Sequence, residues 1–333
     1  MVSAWPDGRR PEVSEGSQAP VCPGAPVICI VGPTASGKSA LADEVAMQLG
    51  TDVISVDSMQ VYRGMDIGTA KTPMGERRVP LQMVDASDIS KDYSVAMFQR
   101  DARMLVNERR CAGKAAILCG GTGLYLDGVI DVMEFPTGET HGEVRSKYEG
   151  YLAKHGTQAL WELLDSRDHE SAAAIHPNNA RRVVRALEMH DEGTSYAEQL
   201  SGLKARRPYY SVEMWGITMD RQRLYRRIDE RVDAMMVAGL VDEVEGLVSA
   251  GLGEDLTARQ AIGYKEVLAY LGGSCSLDEC VELIKRRSRR YAKRQLSWLR
   301  RDGRVRWLDM DVLDTSGAAD LVVKSYSAAL RSS

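Results

Sequence analysis

The chain has 333 residues, 44% of them apolar and 27% charged, with a net charge of −4, which suits a globular protein of more than one domain and excludes a disordered or fibrous one. No apolar stretch approaches the roughly 20 residues needed to span a bilayer, and the N-terminus lacks the apolar core of a signal peptide. The six cysteines (22, 29, 111, 119, 275 and 280) show neither C-x-x-C nor zinc spacing, so reduced thiols and a cytoplasmic location are expected.

Residues 1–25 are rich in Pro, Gly, Ser and charge and read as a disordered tail. A short apolar run, Val27 to Val31, has the pattern of a buried parallel strand. A Gly-rich turn follows. Residues 39–49 then carry apolar side chains at helical spacing (41, 45, 49) up to a stop at Gly50. Val53–Val56 and Ala115–Cys119 read as two further buried strands, ending at Asp57 and Gly120. Strand, helix, strand in this order predicts a parallel sheet with helices on both faces.

Residues 135–207 have helical periodicity and many charges, and are predicted to be a mostly helical insertion between the two parts of the core, 26–134 and 208–315. Met214–Thr218 and Val305–Leu308 read as returns to the sheet. The stretch between them is helical, and residues 316–333 are expected to be a C-terminal tail. Charge is unevenly spread. Lys285 to Arg306 holds eleven basic side chains against the single acid Asp302, a local charge of +10, which fits a polyanionic partner or a solvated helix face.

Gly32, Pro33, Thr34, Ala35, Ser36, Gly37, Lys38 and Ser39 match G-x-x-x-x-G-K-[ST] in full, after a strand and before a helix. The glycines let backbone N–H groups curl around phosphate oxygens, and the helix N-terminus adds partial positive charge. Lys38 is suited to neutralising phosphate, and the Ser39 hydroxyl to ligating Mg²⁺. Asp57 sits at the carboxyl end of a strand, the edge where open α/β sheets bind ligands. There it suits a general base, a holder of Mg²⁺-bound water or a cap for the turn at Ser58 to Gln60. Gly120-Gly-Thr-Gly brings Thr122 to the same edge, or is only a tight turn. Arg227 and Arg231, four apart on one helical face, suit a diphosphate or a charged exterior beside Asp229, Glu230 and Asp233. Tyr291 and Trp298 interrupt the basic helix, either as stacking platforms for bases or as its buried stripe.

Together, residues 32–39, the run Ser55 to Lys71, Gly120 to Tyr125, Ile175 to Glu188, Gln260 to Glu266 and Ala292 to Arg300 resemble one family, the bacterial tRNA dimethylallyltransferases (tRNA isopentenyltransferases). The likeness covers about residues 27–307, and the segment from Asp57 to Lys71 is its most specific part. One departure is Pro80-Leu-Gln-Met-Val-Asp85, where many relatives have two histidines after the proline.

The resemblance implies an α/β fold, with a P-loop, nucleotide-kinase-like core, a helical insertion and a basic C-terminal helical region. It implies transfer of a dimethylallyl group from dimethylallyl pyrophosphate, with Mg²⁺, to N6 of adenosine 37 of a tRNA. Asp57 is then the base, and Lys38, Thr34, Arg227 and Arg231 attend the pyrophosphate. Asp57, Ser58, Met59 and Gln60 contact the target adenine. Thr122 lies near the tRNA, and Asn179, Ala180, Arg181, Arg182 and Val183 belong to the insertion's RNA contacts. Tyr264, Lys265, Lys293, Arg294 and Trp298 are further RNA candidates. A monomer is expected, with no membrane association. The rival readings are an adenylate isopentenyltransferase, which would need neither the insertion nor the basic helix, and a P-loop small-molecule kinase.

Overall fold

The computed structural model describes residues 24–91, 93–135, 142–204, 206–253 and 257–332. It divides into two compact units, one made of the chain up to Ile130 and from Tyr209 onward, the other of Asp131–Pro208. Most of the N-terminal segment expected to be a tail lies outside the described residues.

The larger unit begins with β1 (Val27–Val31), α1 (Lys38–Leu49), β2 (Val53–Val56), β3 (Leu81–Gln82), α2 (Val95–Cys111), β4 (Ile117–Gly120) and α3 (Gly123–Ile130). The smaller unit is helical: α4 (Glu143–Asp165), α5 (His169–Ala174), α6 (Ala180–Asp191) and α7 (Tyr196–Lys204). The larger unit resumes with β5 (Val212–Thr218), α8 (Arg221–Val237), α9 (Leu240–Ser249), α10 (Tyr264–Leu271), α11 (Leu277–Leu299), β6 (Val305–Asp309) and α12 (Thr315–Ser332).

The six strands form one parallel sheet in the order β3-β2-β4-β1-β5-β6. β1 is buried along its whole length and feeds both faces. Val27, Cys29 and Val31 join one apolar cluster, while Ile28 and Ile30 join the other. This is why the strand reads as an unbroken apolar run instead of an alternating one. Strand β3 is too short to leave a pattern and was not predicted.

The segment expected to be a C-terminal tail is a helix over Thr315–Ser332. Ala318, Ala319, Val322 and Tyr326 are buried in the same cluster as Leu41, Ala42, Val45 and Ala46 of α1. Their helical spacing supplies one apolar stripe, and the apolar face of α1 across from it makes burying that stripe worthwhile.

In the smaller unit, Tyr148, Leu160, Leu164, Val183 and Leu187 form the core. The indole of Trp161 donates to the carbonyls of Ala172 (3.0 Å) and Ile175 (2.9 Å). α4 is broken at Gly156, whose φ of 82° is left-handed. Among the described residues no helix is long and apolar enough to cross a membrane. Cys29, Cys119, Cys275 and Cys280 are free thiols. Cys111 is disulfide-bonded, against the expectation of reduced cysteines throughout.

Candidate active site

Register places the site. Gly120 pairs with both Val31 and Val56, so the residues that follow, Gly121, Gly32 and Asp57, leave the sheet side by side at its carboxyl edge. The approach is close: a Cβ on Gly120 would collide with the carbonyl of Val56. Above this edge lies a cavity of about 810 Å³.

The P-loop forms one wall. Gly37 (φ 96°) and Ala35 (φ 62°) are left-handed, which curls the backbone so that successive amides face inward. Ala35 adopts this conformation despite its Cβ, a cost of the kind stored at ligand sites. Among the described residues the buried Ser36 Oγ has no hydrogen-bond partner, an unusual state for a buried hydroxyl. Lys38 and Ser39 begin α1 and line the cavity. Burial lowers the pKa of Lys38, and the charge of Arg231 adds to that effect against Cys119 and Asp57.

α8 forms the opposite wall. Arg227 donates from Nε to the carbonyl of Ala35 at 2.8 Å, and both Arg227 and Arg231 line the cavity. Burial likewise lowers the pKa of Arg231, with Asp57 opposing and Arg227 reinforcing. Three cationic side chains thus converge on one cavity at an electrostatic cost that an anion there would relieve. The sequence left open whether Arg227 and Arg231 face a site or the solvent. Both line the cavity; of the acids beside them, Asp229 pairs with Arg289 and Asp233 with Lys285, while Glu230 lines the cavity with them. Arg223, on the same helix, pairs with Asp311 (2.7 Å).

Asp57 both caps a turn and faces the cavity. Its Oδ1 accepts the amides of Met59 (2.9 Å) and Gln60 (3.4 Å), while among the described residues Oδ2 has no hydrogen-bond partner. Ser58, Met59 and Gln60 line the cavity with it. Gln60 is fixed by Ser55 Oγ, which donates to it (2.9 Å), and by its own bond to the carbonyl of Thr69 (3.2 Å). Thr122 Oγ1 accepts the amide of Ser58 at 3.4 Å.

Several residues the sequence did not single out complete the site. Glu243 of α9 accepts the amides of Asp66 (2.9 Å), Ile67 (2.7 Å) and Gly68 (3.1 Å), and the hydroxyl of Tyr264 (2.6 Å). This carboxylate holds the far end of the loop that starts at Asp57. Tyr264 is therefore corrected from an RNA contact. Its side chain is fully buried, and burial first, then the charge of Glu243, raises its pKa. Gln295, Tyr291 and Arg77 also line the cavity. Burial pushes the Tyr291 hydroxyl up to about 12, with the charge of Asp57 contributing. No motif points to Glu243; it is recognisable only once α9 is packed against the loop.

α11 separates its charges by face. Arg287 and Arg289 pair with Glu266 and Asp229, and Lys285 with Asp233 (2.7 Å). Arg286, Arg290 and Lys293, at positions i, i+4 and i+7, are exposed, as are Arg294, Arg300 and Arg301. Trp298 is half-buried, and a Cβ on Gly123 would stand 2.5 Å from its indole. Its ring packs α11 against α3 while part of it stays accessible. Lys265 is exposed, with Nζ 3.4 Å from Gln260 Oε1.

Within the smaller unit, Asn179 is the N-cap of α6, and Arg181 and Arg182 are exposed on its first turn. Val183 is fully buried in that unit's core, so its side chain is corrected from an RNA contact to a packing residue.

A family model described as IPP transferase matches residues 60–302, and one described as Isopentenyl transferase matches residues 25–80. The chain belongs to the IPP transferase family. It is 46% identical over 285 residues to a tRNA dimethylallyltransferase of Carboxydothermus hydrogenoformans, covering 85% of this chain and 91% of that one. It is likewise 46% identical to one of Streptomyces griseus, over 85% of this chain and 89% of the relative. Among solved structures it resembles a tRNA isopentenylpyrophosphate transferase of Bacillus halodurans (TM-score 0.67, 41% identity, 92% of this chain and 97% of that one). It also resembles a eukaryotic dimethylallyltransferase acting on tRNA (TM-score 0.70, 27% identity, 93% of this chain and 78% of that one). As an IPP transferase, the chain carries its P-loop on the mixed α/β sheet core described above.

Proposed function

We propose that this IPP transferase moves a dimethylallyl group from dimethylallyl pyrophosphate to N6 of adenosine 37 in a tRNA. The observation that carries the reading is one cavity in which a cationic phosphate cradle faces a carboxylate with an unused oxygen. A kinase can use such a base as well, but it has no need of an apolar compartment beside it. Here Val232, Met235, Ile262 and Ile284 line the same space and suit a five-carbon hydrocarbon.

In this reading the P-loop amides, Lys38, Arg227 and Arg231 bind the diphosphate and stabilise the charge it gains as it leaves. The N6–C bond forms as the C–O bond to diphosphate breaks, the electron pair departing with the diphosphate. Asp57 Oδ2 takes the N6 proton. The adenine must leave its stack to reach this depth, as bases do in enzymes that act on them. Ser58, Met59 and Gln60 receive it. The exposed basic face of α11 meets RNA phosphates.

Mg²⁺ is part of the proposal. Ser39 and Asp57 bring hard oxygen donors to the cavity. Among the described residues no group of three or more His, Cys, Asp or Glu could hold a metal ion. Such a donor set suits an ion that takes one or two protein oxygens and completes its shell with phosphate and water. When bound it neutralises diphosphate charge. We take the protein to act as a monomer in the cytoplasm.

The test is incubation with labelled dimethylallyl pyrophosphate, Mg²⁺ and either unmodified tRNA or AMP, beside Asp57→Ala. Label in tRNA alone, lost in the variant, is expected. Label in AMP would make the chain an adenylate prenyltransferase, and label in neither would sink prenyl transfer.

A further inference from the structure

Gln295 sits on the inner face of α11, opposite the basic surface, with 6% of its surface exposed. Its Oε1 accepts the backbone N–H of Thr34 at 2.9 Å, and its Nε2 donates to the carbonyl of Gly121 at 3.0 Å. Tyr291, one turn earlier on α11, lines the same cavity as Gln295. Thr122 accepts the amide of Ser58 (3.4 Å), next to Asp57. The side chain thus joins the P-loop to the turn after β4, and Thr122 of that turn reaches the loop after β2.

The amide chemistry is specific. Thr34 offers a donor and Gly121 an acceptor, so the bridge needs one acceptor and one donor at fixed ends of a planar group. An ionised carboxylate offers two acceptors and sets one lone pair against the Gly121 carbonyl. A methionine of similar volume offers neither bond. Space is equally constrained, since a Cβ on Gly121 would collide with Gln295 Nε2.

We propose that Gln295 is a positioning residue that holds the P-loop in register with the Gly121–Thr122 turn, so that the bound diphosphate and Asp57 face each other across the cavity. This rests on the prenyl-transfer reading above for its effect on rate, while its effect on the P-loop stands apart from it.

The test compares full-length Gln295→Met and Gln295→Glu with the unsubstituted protein across about pH 6 to 8.5. Gln295→Met should lose about tenfold to a hundredfold in kcat for tRNA prenylation, the scale of a misplacement on the order of 1 Å. Its ratio to the parent should not change with pH. Gln295→Glu should be similarly impaired at alkaline pH and recover toward the parent as pH falls. A protonated carboxyl restores the donor to Gly121, and burial beside a carbonyl keeps it protonated to higher pH than usual. The same recovery should appear in the affinity for inorganic pyrophosphate, each variant taken as a ratio to the parent at each pH. Parental rates and pyrophosphate affinities in both variants would overturn the proposal. So would equal, pH-independent losses in both, which would reduce Gln295 to packing. If the parent binds pyrophosphate but never labels tRNA, the prenyl-transfer reading has failed instead, and the pyrophosphate ratios still decide the role of Gln295 at the P-loop.

Discussion

Removing one oxygen from the Glu243 clamp should loosen the loop that carries Asp57. The carboxylate satisfies four donors, the amides of Asp66, Ile67 and Gly68 and the hydroxyl of Tyr264. In Glu243→Gln the amide oxygen serves at most two of them, and its NH₂ faces the others as a competing donor. Hydrogen bonds to a charged group contribute about 1.5–3 kcal/mol each. Two lost at the lower figure give about 3 kcal/mol, and Asp66 is exposed, so water offsets part of the loss there. At an m-value of about 3 kcal/mol/M this moves the urea midpoint down by up to about 1 M. Tyr264→Phe, which deletes one donor along with its need, should cost only about 1 kcal/mol. The packing side of the clamp has its own test. A Cβ on Gly68 would collide with the Tyr264 ring, so Gly68→Ala should cost about 1–3 kcal/mol through overpacking. Tyr264→Leu should relieve part of that cost, giving a double-mutant cycle that is not additive. Urea unfolding and steady-state kinetics on the same preparations are the assays. In Glu243→Gln kcat should fall more than the affinity for pyrophosphate. A Glu243→Gln variant with the parental midpoint and kcat would refute the clamp, and additive Gly68 and Tyr264 effects would refute the packing.

Three further outcomes follow from the same geometry. Pyrophosphate at a hundred times its Kd should add about 2.7 kcal/mol to stability, and because burial holds the pKa of Lys38 and Arg231 down in the free protein, calorimetry in buffers of different ionisation enthalpy should show proton uptake on binding at alkaline pH. Charge reversal at Arg290 and Lys293 should leave pyrophosphate binding intact while weakening tRNA binding and making its dependence on log salt shallower by about 1–2. Asp52 is partly buried, which raises its pKa, but hydrogen bonds from Arg109 (3.1 and 2.7 Å) and Gln82 (2.8 Å) hold its carboxyl below the usual range; its contribution is complete above about pH 3.9 and is lost as pH falls through the lower folded-state value, so acid unfolding of Asp52→Asn should show a smaller loss across that window and lower stability at neutral pH.

How much of this is legible in the chain differs from residue to residue. The P-loop and Asp57 are local. A strand of five apolar residues, a turn whose glycine permits left-handed backbone and a lysine at the first helical position are all adjacent in sequence, and so is a carboxylate one residue past a buried strand. Short-range sterics and burial determine them, and a motif can therefore name them. The basic block of α11 is visible as composition, but composition does not show which of its charges are spent. Among the described residues three are paired, two to Asp229 and Asp233 on α8 and one to Glu266 on α10. The packing of the aromatic residues is hidden from the sequence for the same reason. Tyr264 and Trp298 sit among polar neighbours in sequence, but their rings close against Gly68 and Gly123, from segments 196 and 175 positions earlier.

The sequence by itself determined the phosphate cradle, the parallel sheet around it and the family to which the chain belongs, because each depends on patterns a few residues long. Only the tertiary structure decided that Arg227 and Arg231 face the cavity, that α12 packs against α1 and that Glu243 and Gln295 hold the loops around Asp57. Those outcomes depend on which distant segments meet, and a hydrogen bond across 261 positions, such as that from Thr34 to Gln295, leaves no periodicity in the chain to be read.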